Sequence, residues 1–549
     1  MSFGDTLAKR VKVAADKAFT TNERQNQKAI WENLAEFILN NQSGIFNGET
    51  TRGDRKTERL FDSTAIQANH DLAAAIHSTL TNPATKWSAI RFKDDDLNNN
   101  TEAVEWLDQV NNKIHEFLND SNFDTMAAKA YQSICSIGSM VVFQEEDPAN
   151  LEPGFGGFRF NAWHLSEVAF VENEAGVVDT VYRRFKWTLK KIRERWPDAK
   201  LPDDMERTGE SDPNKEFLIH HEIKPRNPEE VRFNELGLAL PKERPFSSVY
   251  VLDKKSAILE EGGYYELPFF AARWSTMPGE VYGRGPGHTA LPDIRTLNKV
   301  KQLGLKAIAR AIDPPMIADK RNILGNFDIR PGRLTMVRDV QGFKELNSQA
   351  RFDVSQFAVE ELRNTIKSVF FIDKLMLPPR TETGEQTAFE IAERLAQMQK
   401  VLGPTVSRFV NEFLTPTIIR SFKLLLRGNA LPDLPQVLVE RGINVDIQFI
   451  NPLSRNQRLE EVNNLSAWVA ETAQQAQMTG DPSVLDWVDG DFITKEKAKI
   501  RGIPEKAIRS KDQVDQLREQ RQAQVEAQQQ LEAGVQVADI ASKTGGQNE

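Results

Sequence analysis

Few residues in this 549-residue chain have the type and spacing that chemistry needs. His220-His221-Glu222 offers two imidazoles and a carboxylate in a row. The flanking residues read as a strand, where neighbours point to opposite faces, so the pair does not readily chelate one ion. HExxH and CxxC spacings are absent. His70 and His77 lie two turns apart in a helical pattern and read as solvated or capping imidazoles. Asp94-Asp95-Asp96 could hold Mg²⁺, but it stands beside Asn98-Asn99-Asn100 and reads as a solvated loop. Cys135 is the only cysteine, so no intramolecular disulfide is possible, which fits a reducing compartment. Its apolar helical surroundings predict a buried structural thiol. Gly283-Arg284-Gly285-Pro286-Gly287 looks like a phosphate loop. It is not GxGxxG, Pro286 removes an amide, and the chain has no Gly-Lys dipeptide, so the usual P-loop is excluded. A backbone turn is the stronger reading. With GxSxG also missing, no residue set points to an enzyme, and no metal or cofactor is expected.

The elements that would position these residues can be read from periodicity. Apolar fraction (40%) and charged fraction (27%) are those of a globular protein, and the length exceeds what one core usually serves. The net charge of −9 argues against a protein that coats DNA with a basic surface, though not against one that DNA slides past. The N-terminal segment lacks an apolar core, so no signal peptide is expected, and no run of apolar residues predicts a membrane span. Helical spacing runs through Leu7–Ala18, Ile30–Ile38, Ile66–Leu80, Val104–Phe117 and Phe123–Ile137. After Gly138 the pattern changes to short β-branched and aromatic runs, which predicts a β-rich region over 139–275 with a short helix near 188–196. Helices return at about 289–312 and 354–375, separated by a compact segment with turn signals. Thr387 with Glu390, and Ser454 with Gln457, have capping-box spacing. Gly403-Pro404 predicts a kink, because proline removes a donor and clashes with the preceding turn. From about 511 a Gln-rich helix with a broken heptad leads to a tail expected to be disordered.

The helix at 289–312 carries Arg295, Lys299, Lys306 and Arg310 at 4-7-4 spacing, a basic stripe along a rod about 35 Å long. Such a stripe is either a solvated face or one that meets a polyanion or an acidic neighbouring subunit. Several segments then agree on one resemblance. "FDSTAIQANHDLAAAIHSTLTNPATKW", "GRGPGHTALPDIRTLN", "SVFFIDKLMLPPRTETGEQTAFEIAERLAQMQKVLGP" and "FINPLSRNQRLEEVNNL" resemble the portal, or head-to-tail connector, proteins of short-tailed bacteriophages. The order is right and the match covers most of the chain.

The resemblance implies an α+β, mainly helical portal-type fold with wing, two-helix stem, clip and crown, assembled as a ring of twelve. Residues 1–285 would be the wing, helical over 1–138 and β-rich over 139–285. Residues 286–312 and 351–375 would be the stem helices, and 313–350 the clip between them. Residues 376–386 would form the tunnel loop, 387–428 connecting helices, 429–510 the crown, and 511–549 a C-terminal helix, short barrel and tail. Arg380, Thr381, Glu382, Thr383 and Gly384 would line the channel, with Arg380 the candidate phosphate contact. Lys320, Arg321, Arg330, Arg333 and Arg338 would dock partners or bridge subunits at the clip. Gly283, Gly285, Gly287, Gly403 and Pro404 are candidate hinges. Implied partners are double-stranded DNA in the channel, the terminase large subunit, adaptor and tail tube proteins, and scaffolding and major capsid proteins, with no membrane. The implied location is the portal vertex of the virion, after assembly in the bacterial cytoplasm. A competing reading is another ring-forming head-tail adaptor or tail protein. A nucleic-acid-processing enzyme is a third, without the residues it needs.

Overall fold

The computed structural model describes residues 3–39, 42, 44–48, 59–98, 100–147, 155–234, 237–312, 316–318, 343–345, 352–375, 403–441, 445–449, 452–500, 509 and 513–524. They form two compact units, one of Met1–Lys86 with Lys113–Leu431, the other of Trp87–Asn112 with Pro432–Glu549.

In the first unit, helices α1 (Phe3–Phe19), α2 (Asn22–Phe37) and α3 (Thr64–Leu80) follow the apolar spacing of the sequence. Two sheets come next. Strands β2 (Ser139–Glu146), β3 (Phe158–Trp163) and β9 (Phe269–Arg273) make an antiparallel sheet in the order β3-β2-β9. Strands β4 (Val168–Glu172), β5 (Val178–Thr188), β6 (Glu216–Pro225), β7 (Phe246–Leu252) and β8 (Ala257–Tyr264) form a five-stranded antiparallel meander in chain order. Small residues let α1 lie close on one face of this meander: Ala8 and Val11 pack on Val249 and Val251, and Ala15 and Ala18 on Ala169 and Tyr182. The other face packs on α7 (Leu189–Arg195) and α8 (Asp203–Ser211) through Phe185, Ile219, Leu252, Ile192, Trp196 and Met205. Burying these side chains is worth about 1.5–3 kcal/mol each before entropy is subtracted. Helix α6 (Phe123–Ile137) ends on Gly138, whose φ of 83° closes the helix and turns the chain into β2.

The long helix α9 spans Pro286–Ile312, with Pro292 early inside it. Helix α10 (Phe352–Val369) packs on α9 and α3. A short antiparallel pair, β10 (Met316–Ala318) and β11 (Phe343–Glu345), lies between α9 and α10 in sequence. The second rod does not run unbroken to 375. It stops at Val369, and Phe371 adopts φ 59° before a single turn, α11 (Ile372–Leu375). Phe370 is fully buried at this break, so tertiary packing overrides the local helical pattern. A later helix, α12, runs over 403–427, with a π-helical turn at Val410–Leu414. Gly403 and Pro404 are its first described residues, inside the helix.

In the second unit, β1 (Ser88–Phe92) pairs antiparallel with β12 (Val445–Phe449). Residues 87–112, assigned to the wing on sequence, thus fold with the C-terminal region. Asp95–Asn98 of the acidic loop form a single helical turn, α4, and α5 (Thr101–Asp120) follows. Asn111 of α5 fixes β1 by accepting from the Ile90 amide at 2.7 Å and donating back to its carbonyl at 3.2 Å. Trp106 Nε1 donates to the Pro432 carbonyl at 3.1 Å. Helices Pro452–Thr479 and Gly490–Ile500 complete the unit. Ser454 lies inside the first of these instead of capping it, because Pro452 opens the helix. Residues 513–524 are helical, in agreement with the Gln-rich pattern.

Candidate functional site

In the glycine-rich run at 281–287, five of the six backbone amides are already bonded within the protein, and Pro286 has none. Val281 and Tyr282 donate their amides to Glu23 Oε1, Gly283 to Ser139 Oγ, Arg284 to the Ser275 carbonyl, and Gly285 to His288 Nδ1. Burial pushes the Glu23 carboxyl above its ordinary range even though it accepts two of these bonds. The glycines are required by close approach, not by unusual φ. A Cβ on Gly283 would stand 2.2 Å from the Gly138 carbonyl oxygen, and one on Gly287 2.3 Å from that of Ser136. A Cβ on Gly285 would stand 2.7 Å from the Ile134 carbonyl oxygen. The run therefore welds the start of α9 onto the end of α6. Of the two hinge groups named on sequence, this one is tightly packed backbone.

Next to this weld, Arg273 and Trp274 gather the feet of α10 and α12. Arg273 is almost fully buried; its amide and its Nη2 donate to the two carboxylate oxygens of Glu412, each at 2.9 Å, and it also pairs with Glu172. Glu412 sits in the π-helical turn. The Trp274 ring stacks on Phe371 at the break after α10, centroids 6.4 Å apart, and meets Phe409 of α12 edge-on at 5.8 Å. Its amide donates to the Gly138 carbonyl at 2.9 Å. Residues 376–402, between the two feet, lie outside the described residues, and so do Arg380, Thr381, Glu382, Thr383, Gly384 and the Thr387/Glu390 capping box.

The stem stripe is placed in full. Arg295, Lys299, Lys306 and Arg310 are exposed on one side of α9 and form no ion pair with a described residue. Arg295 and Lys299 also border an open groove of about 740 Å³ with Phe37, Arg59, Phe61 and Asn298. Asn298 Oδ1 accepts from the Phe61 and Asp62 amides, and Asp62 accepts from Arg363 of α10. Burial raises the Asp62 pKa, but hydrogen bonds from Thr64 and Arg363 outweigh it and hold the carboxyl below its usual range. The apolar face of α9 is buried at Ala290, Ile294 and Leu297, yet farther along it is exposed at Leu305, Ile308 and Ile312. The clip cations Lys320, Arg321, Arg330, Arg333 and Arg338 lie outside the described residues.

The residues weighed for chemistry are structural. His220 bonds Asp253 on one face of β6, while His221 bonds Ser248 and stacks on Tyr250 on the other, ring centroids 3.7 Å apart. Glu222 is buried and pairs with Arg10 and Lys224. Cys135 is buried, and burial pushes its thiol well above the ordinary range, which removes the thiolate. Among the described residues no group of three His, Cys, Asp or Glu could hold a metal ion, and no helix is long and apolar enough to cross a membrane. Sequence reasoning missed the Arg273–Glu412 pair. Its partners are 139 residues apart, and neither stands in a motif.

The described residues make a mixed α+β scaffold in which a long helix, α9, is rooted by glycines on α6 and packs on α10. A family model described as bacteriophage head to tail connecting protein matches residues 12–508, and the chain belongs to that family. It is 26% identical over 531 residues to the portal protein of Salmonella phage epsilon15, covering 95% of this chain and 93% of that relative. It is 24% identical over 532 residues, with the same coverage, to the probable portal protein of Bordetella phage BPP-1. A shorter match, 27% over 228 residues and 40% of each chain, joins it to the portal protein of Enterobacteria phage T3.

Proposed function

We propose that this protein is the portal of a short-tailed phage, a ring at one capsid vertex through which DNA is packaged and later ejected. The observation that carries this reading is the end-to-end match to portal proteins, 95% of this chain against 93% of the epsilon15 protein. A full-length match of this kind favours the portal over a separate adaptor or tail component. A separate terminase would dock on the ring and drive the DNA, which agrees with the missing P-loop. Adaptor and tail proteins would follow on the clip, and scaffolding and capsid proteins would hold the wing. The connecting role is structural, with no reaction of its own.

The acidic balance suits a conduit. A channel wall that is mostly like-charged to DNA avoids the tight phosphate contacts that would stall sliding. Residues 376–386 would be the constriction, with Arg380 centring the duplex and Glu382 repelling it. Residues 313–350 would form the clip, and α9 with α10 the stem. Electron microscopy of the purified full-length protein tests this directly. The expected image is a ring of about twelve subunits with a central channel, and a compact monomer at every concentration would refute it.

A further inference from the structure

The outer faces of α9 and α10 are complementary to each other, although neither covers the other. At 100° per residue, Arg295, Lys299, Leu303, Lys306 and Arg310 fall within about 80° of arc on α9. Four are cations, and the fifth, Leu303, is 53% exposed. On α10, Phe357, Glu360, Glu361 and Asn364 fall within about 100° of arc, opposite the buried Val359, Ile366 and Phe370. Phe357 is 75% exposed. Glu360 is held by Arg363 of its own helix, and Glu361 forms no ion pair with a described residue. One face is therefore basic around an exposed leucine, and the other sets the Glu361 carboxylate beside an exposed phenylalanine.

Their heights also agree. Asn298 and Arg363 both bond at Asp62, one to its backbone amide and one to its carboxylate, so both helices are tied to the same residue. The helices leave it in the same direction, one forward in sequence and one backward. At 1.5 Å per residue, Leu303 lies about 8 Å beyond Asn298, and Phe357 about 9 Å beyond Arg363. Lys299 and Glu361 lie about 2 Å and 3 Å beyond the same two points. A rotation about an axis parallel to the stem keeps heights, so it brings these pairs together between neighbouring copies.

We propose that the basic face of α9 docks on the Glu361 face of α10 of a second copy, with Lys299 facing Glu361 of the neighbour and Leu303 packing against Phe357. This contact rests on the ring reading above, and it gives the cationic stripe a protein partner. Each copy uses a different face toward each neighbour, so the contact is heterologous, and it closes into a ring when the rotation allows.

Charge exchange tests it. Lys299→Glu places two carboxylates together, and Glu361→Lys places two ammoniums together. Such like-charge contacts oppose assembly. The concentration at half-assembly, read by sedimentation or mass photometry, should rise about ten-fold for each variant. Thermal melting of the dissociated chain should stay unchanged, since neither residue has an ion-pair partner within the described chain. The double variant Lys299→Glu/Glu361→Lys should assemble like wild type, and so should an equimolar mixture of the two single variants in alternating rings. Single variants that assemble like wild type overturn the contact, and so does a double variant that fares no better than the singles. Wild-type protein that stays monomeric at every concentration overturns the ring reading itself, and this contact with it.

Discussion

At the scale of single residues, two glycines in one helix make opposite predictions. Gly287 opens α9 with its Cα against the Ser136 carbonyl, where a Cβ would sit at 2.3 Å. The obstacle is backbone at the end of α6, so it cannot swing aside as a flexible side chain would. Gly287→Ala should lower the stability of the chain by about 1–3 kcal/mol, the range of overpacked cores. Gly304 lies mid-helix, and a Cβ added there would meet nothing within 4 Å. At that position alanine costs no space and removes unfolded-state freedom, so Gly304→Ala should stabilise by roughly 0.5–1 kcal/mol. Urea denaturation of the two variants checks both signs. A neutral Gly287→Ala would mean that the weld between α9 and α6 is looser than the packing requires.

At the scale of elements, regular pieces were legible and irregular ones were not. The helices α1 to α3, α6 and α9 stand where the apolar period placed them, because a long amphipathic pattern outweighs local exceptions. The strand at Ser139–Glu146 was also legible, from its run of β-branched and aromatic residues. Strands β4 and β8 lie within the region read as β-rich but carry weak signals of their own, since "VAFVE" is only five residues long and "AILEEGGY" has two glycines near its end. Helix α8 escaped notice because its single buried anchor, Met205, stands in a charged segment. The break at Phe371 and the π turn at Val410–Leu414 depend on Trp274 and Arg273, far away in sequence. The stem stripe was readable from spacing alone. The π turn yields an element-scale prediction. Its extra residue sets the register between Phe409, which meets Trp274, and Ser421, which accepts from Gln144 Nε2 at 2.8 Å. Deleting exposed Asn411 should restore α-helical winding and rotate one side by about 100°. Either Phe409 or Phe413, both buried, then leaves its site. The expected cost is about 3–5 kcal/mol, as for loss of a buried phenylalanine, and it is read as a lower denaturation midpoint. Wild-type stability in the deletion variant would show that the turn carries no register.

At the scale of the whole molecule, buried imidazoles make stability depend on pH. Burial pushes His164 down to about 4, with Arg24 adding to the effect. Burial also pushes His288 down to about 4, with Arg284 adding. His220 is lowered and His221 is lowered well below its ordinary value, in both cases chiefly by burial. All four are therefore neutral in the folded chain at pH values where the unfolded chain begins to protonate them. Below pH about 6.5 the unfolded state binds more protons, and folding weakens until the folded values near 4 are passed. A shift of that size amounts to on the order of 3 kcal/mol for each of His164 and His288 at the acid end. Asp62 acts in the same direction, because its lowered carboxyl loses its hydrogen-bonded anion in acid. Glu23 opposes them, since its raised carboxyl is relieved by protonation. Four histidines outweigh one glutamate, so the denaturation midpoint should stay level above pH 7 and fall steadily from pH 6.5 to 4, with the loss from Asp62 following below about pH 4. His288→Asn keeps an acceptor for the Gly285 amide but does not titrate in this range. It should flatten the slope between pH 6.5 and 4 by one histidine's share, without changing the stability at pH 8 by more than about 1 kcal/mol. An unchanged slope in that variant would show that His288 is protonated as readily in the folded chain as in the unfolded one.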